Sequence, residues 1–219
     1  MTPKRQRVAV VLERGGKRVF ASAADWPGWS RSGKTEDAAL ETLLGYAGRY
    51  ARVAALAGEP FPESIDLDVI ERSAGGSGTD FGVPSRVTEA DGRPVPAVDA
   101  DRLARIVDAA WSTFRRVVAG APAELRKGPR GGGRDRDKMV AHVVAADAAY
   151  SREIGLKLKE PDPSDHDAVK AMRAEMLTVL RQPSDGAALA GRRWTTRYAA
   201  HRIAWHALDH AWEMEDRSA

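Results

Sequence analysis

The stretch WHALDHAWEMED, residues 205–216, decides how the rest of the chain is read. It holds His206 and His210 four residues apart, with Glu213 three further on, and its apolar residues return at a helical interval. On a helical wheel with His206 at zero, His210 falls about 40° away and Glu213 about −20°, so the three share one stripe. The apolar arc starts at Ile203 and continues through Met214, Ala207, Ala211 and Leu208 to Trp212 and Trp205. The stripe borders this arc. On this helix alone two readings stand: ligands converging on an ion, or polar residues on a solvated face. His201 lies about 140° from His206 and cannot share an ion with it from the same helix.

Working outward, this last helix runs from roughly Thr195 to Asp216, and three more precede it. The first spans about Asp99 to Val118, with Leu103, Ile106, Val107, Ala110, Trp111 and Phe114 on one broad face. The second opens after Gly131-Gly132-Gly133 with Asp135 as its cap and ends near Ile154, ahead of Gly155. The third begins near Asp165 and carries Val169, Met172, Met176, Val179 and Leu180. Four amphipathic helices of about 15–22 residues, with no strand signals among them, predict a four-helix bundle over 97–219.

Residues 1–73 predict a small α+β domain. VAVVLE (8–13) and RVFASA (18–23) are strands joined across Arg14-Gly15-Gly16-Lys17, a hairpin signal. Trp26-Pro27-Gly28 makes a turn into a third short strand at 29–32. Thr35 caps a helix whose first turn holds Glu36 and Asp37, and one continuous helix is expected to reach Gly58. A fourth strand follows at Ile65–Glu71. AGGSGTDFGVPSRVTEADGRPVP (74–96) is dense in Gly, Pro and Ser without a sustained period, and reads as a linker. The fold class is therefore α+β.

The 219 residues are ample for a hydrophobic core, and 43% hydrophobic with 30% charged composition is that of a globular protein. No apolar run approaches the ~18 residues of a membrane span, and no signal-peptide core follows the basic MTPKRQR start. Zero cysteines exclude disulfides and thiolate ligands and fit a cytoplasmic location, so any metal must sit on histidine and carboxylate. With 34 basic residues against 31 acidic, the net charge is only +3, and nucleic-acid binding is not expected.

Two resemblances add to this. A histidine early in the second helix (DKMVAHVVAADAAY) and the paired histidines of WHALDH in the fourth make residues 97–219 resemble the DinB/YfiT-like family, which includes thiol-dependent transferases. The resemblance implies an up-down-down-up bundle and a divalent metal held by three histidines, here His142, His206 and His210. Antiparallel second and fourth helices suit it: His142 sits about 7 residues, ~10 Å, into its helix, and His210 about 6 residues, ~9 Å, before the end of its own. The second resemblance lies in ADWPGWSRSGKTEDAAL (24–40), which resembles HicB-like antitoxin domains. No appended DNA-binding module accompanies it, so DNA binding is not implied.

Three neutral imidazoles leave positions for water or substrate, as at a catalytic ion. Zinc is the default for imidazole; nickel, iron and manganese are alternatives. Asp209 and Glu213 are placed to orient a ligand ring, with Glu213 also an optional ligand. GPRGGGRD (128–135) is read first as a mobile loop; the second reading is a glycine-rich approach to a helix start, where Arg130 and Arg134 would neutralise a substrate anion. His166, between Asp165 and Asp167, reads as an exposed first-turn residue. No catalytic side chain beyond the ligands stands out. The functional expectation is a metal-dependent thiol S-transferase, using a low-molecular-weight thiol such as mycothiol, or a hydrolase, on a small molecule. The alternative is a non-catalytic binding or scaffold protein whose HicB-like domain recognises a partner. Self-association is left open.

Overall fold

Val8, Val10 and Leu12 turn to one face of β1 (Gln6–Arg14) and Val11 is buried on the other, as in an interior strand of a four-stranded sheet. A computed structural model describes residues 5–128 and 133–218 of the chain. β2 (Val19–Ala23) returns antiparallel through the Gly15-Gly16 turn, β3 (Ser30–Gly33) extends that meander, and β4 (Ile65–Ala74) lies parallel to β1 on its other side, in the order β3-β2-β1-β4. Thr35 caps α1 (Glu36–Gly45), its hydroxyl accepting from the Ala38 amide at 3.2 Å. The single helix expected to Gly58 is instead two, α1 and α2 (Ala47–Leu56), broken at Tyr46. Gly45 and Gly48 weaken the helix there, and Tyr46 turns to receive the Arg31 guanidinium 4.0 Å from its ring centre.

Residues 74–96, expected as a Gly/Pro-rich linker, carry α3 (Ser77–Phe81) and a 3-10 turn at Ala90–Gly92. Composition hid the reason, which is side-chain bonding from both directions. The buried Glu13 carboxylate accepts from the Thr79 hydroxyl, the Ser85 amide at 3.0 Å and the Arg86 amide at 3.1 Å. In return Asp80 accepts from the Gly16 and Lys17 amides of the hairpin, at 3.1 and 2.7 Å. The segment is a strap tied across one sheet face.

The C-terminal part is helical: α4 (Ala97–Gly120), α5 (Arg136–Glu153), α6 (His166–Leu180) and α7 (Thr196–Ser218). Arg197 meets Asp99 at 3.5 Å where α7 and α4 both begin, so those two run the same way. Arg181, just past the end of α6, meets Asp101 at the start of α4, so α6 runs against it. Arg217 near the end of α7 bonds the Arg134 carbonyl ahead of α5, and Trp194 before α7 packs on Tyr150 late in α5, so α5 opposes α7. Inside, Asp147 is buried against Arg173 at 2.8 Å and accepts from the Trp111 indole.

One hydrophobic core runs from Val10 of β1 and Trp29 just ahead of β3 to Leu103 and Trp212 in the helices. At the joint, Gly28 has a φ of +87°, and a Cβ there would stand 2.9 Å from Ala204 and Leu208 of α7. Among the described residues no helix is long and apolar enough to cross a membrane.

Candidate metal centre

α7 turns His206 and His210 to one side, as the four-residue spacing requires, and α5 presents His142 across from them. Each offers one ring nitrogen, and the three nitrogens lie within 4.8 Å of one another. The Nε2 atoms of His142 and His206 are 3.2 Å apart, and the three ring centres are separated by 4.9, 4.9 and 4.7 Å. His206 is buried, while the His210 side chain is 12% exposed. The resemblance implies these three residues as a set, and the structure brings them together.

Two nearby groups orient His210. Its Nδ1 lies 3.1 Å from Glu213, whose other oxygen accepts from Arg217 at 2.9 Å. A bond donated by Nδ1–H to the carboxylate leaves Nε2 with its lone pair turned toward the cluster. Arg217 also donates to the Arg126 and Arg134 carbonyls at 2.7 and 2.8 Å, fixing the chain on both sides of 127–133 to the end of α7. Asp209 departs from its expected part. Its carboxylate is drawn away by Arg31, at 2.8 Å, and orients no histidine. The competing cation comes from the sheet, 178 residues distant, where no local pattern would reveal it.

Burial sets the charge state of the rings. It pushes the His142 pKa down to about 4, assisted by His210 and Arg134, and holds that of His206 well below the ordinary value. Both are neutral at pH 7, the form that binds a cation. Arg134 is exposed and close enough to act on both rings; Arg130 lies outside the described residues. His201 points elsewhere, to the Ala24 carbonyl at 3.0 Å, and His166 is exposed at the start of α6.

No family model, curated protein or solved structure matches the chain. At metal–nitrogen bonds of about 2.0–2.1 Å, the edges of a zinc tetrahedron measure about 3.3–3.4 Å. The 3.2 Å separation of His142 and His206 is close to that edge, and the buried Nδ1 of His206 has no hydrogen-bond partner that would commit its ring otherwise. The residues present fit a divalent cation. Sequence reasoning missed Arg202 and Arg217, although the wheel puts them about −40° and 20° from His206, on the stripe already drawn.

Proposed function

We propose that this is a metal-dependent protein of the DinB-like type, with a divalent ion held by His142, His206 and His210, joined to an N-terminal HicB-like unit. The observation that carries the reading is the convergence of three ring nitrogens, from two helices, within 4.8 Å. The directions of α4 to α7, up-down-down-up in chain order, support the bundle assignment. Such an ion, when bound, supplies Lewis acidity that lowers the pKa of a thiol or a water. The chain's own residues prepare for this: burial keeps two imidazoles neutral, Glu213 fixes the ring of His210, and Arg134 makes the surroundings favourable to an anion. The reaction proposed is transfer to or from a low-molecular-weight thiol such as mycothiol, or hydrolysis, with a small-molecule substrate.

A catalytically silent, partner-binding protein is the second reading. It is favoured by β4, which forms an open sheet edge, and by Phe81, which is 87% exposed.

Metal analysis of untagged protein, followed by melting curves, tests the site. Zinc, nickel or manganese added to chelator-treated protein should raise the melting temperature, by about 2.7 kcal/mol of stabilisation at a hundredfold excess over Kd. His142→Ala and His206→Ala should each abolish the rise and His201→Ala should keep it. Equal responses from His201→Ala and His206→Ala would sink the three-histidine site.

A further inference from the structure

Between the sheet and α7 lies a cavity of about 50 Å³, walled by the strap on a third side. Its sheet wall includes Glu13 and Ser22, its strap wall Arg86 and Asp91, and its helix wall Arg202 and Trp205. Most of the polar groups here are satisfied. Glu13 accepts from the strap, Ser22 and Ser30 bond each other at 2.6 Å, and Asp91 accepts twice from Thr88. Arg86 donates to the Ala74 and Gly75 carbonyls, and His201 faces the Ala24 carbonyl. What remains is two donors: the buried Nη1 of Arg202 and the buried indole Nε1–H of Trp205 have no partner. The Arg202 guanidinium lies 4.8 Å from the Trp205 ring centre and 5.4 Å from that of Tyr150, and both Arg202 and Trp205 line the cavity.

Leaving a buried donor unpaired costs about 1–3 kcal/mol, more for a charged group, so this cavity calls for an acceptor from outside the protein. A water answers one donor. A carboxylate answers both, matches the planar guanidinium fork and offsets its charge. The volume suits it too, since about 10–15 Å³ per water-sized group gives room for about three to five groups. We infer that this cavity is the seat of a small carboxylate, built jointly by the N-terminal sheet, the strap and α7. Arg202, which lines the cavity, precedes His206 by one turn of α7, about 6 Å of rise. That placement gives the seat a meaning for substrate binding only if the ion-site reading holds; the seat itself rests on the cavity and its donors.

The test is an acetate titration of chelator-treated protein, followed through the indole 1H–15N resonance of Trp205 after sequential assignment. A saturable movement of that resonance is expected, absent with chloride at matched ionic strength. Arg202→Met should weaken it about tenfold or more, the equivalent of one charge-assisted bond. Arg202→Lys, which keeps charge and stem but loses the fork, should also weaken it and guards against a misfolded Met variant. An unmoved resonance, an equal movement with chloride, unaltered binding by both variants, or movement only after zinc is added would each overturn the seat. Failure of the ion site would appear in the melting curves and leave this titration unaffected.

Discussion

His206 and His142 are imidazoles that burial keeps uncharged, and this has a measurable sign. An ordinary histidine titrates near 6.5, whereas in the folded protein His142 is driven to about 4 and His206 lies well below 6.5, desolvation being the leading cause in both. The unfolded chain therefore binds more protons than the folded one as the pH falls through this window. Stability contributed by these rings is fully present above about 6.5 and is lost on descent toward 4. Chelator-treated protein should melt at progressively lower temperature over that interval, and His142→Gln should flatten the slope. Coincident slopes would assign the acid limb to other groups. The same depression keeps His142 and His206 in the neutral, ion-binding form to lower pH than an ordinary imidazole.

Elements with their own periodicity were legible and those made by distant bonds were not. The four long helices announce themselves in apolar spacing, and Thr35 in its capping pattern. Glu213 could be foreseen beside His210 because both lie on one helix. The partner of Asp209 could not, nor could the parallel pairing of β4 with β1, since neither leaves a local trace. The strap is the clearest instance: its glycines and prolines signal irregular chain, while the groups that hold it belong to β1 and the hairpin. Cutting Glu13 back to Ala should free the Ser85 and Arg86 amides and cost about 2–4 kcal/mol in urea denaturation. Trypsin should then cleave after Arg86, a bond expected to resist in the parent protein. Prompt cleavage there in both proteins would mean the strap is held less firmly than its bonds imply.

At the scale of the molecule, the shared core outweighs the division into two parts that composition suggested. Trp29 and Tyr50 on one side and Trp212 on the other belong to one buried cluster, and Arg31 spans the joint to reach Asp209 and the Trp212 ring. Denaturation should therefore be a single transition, with tryptophan fluorescence and far-ultraviolet circular dichroism tracing the same curve. Two separated transitions would restore an independent N-terminal domain. The joint also carries an evolutionary constraint. Turn and helix are in contact because position 28 lacks one methyl group, and the atoms filling that space belong to Ala204 and Leu208, two residues before and two after His206. A side chain gained at 28 must be answered by space surrendered at 204 or 208, and space surrendered there changes the footing of the histidine between them. The N-terminal turn and the proposed ligand helix therefore cannot vary independently, and neither half can be exchanged without reshaping the other.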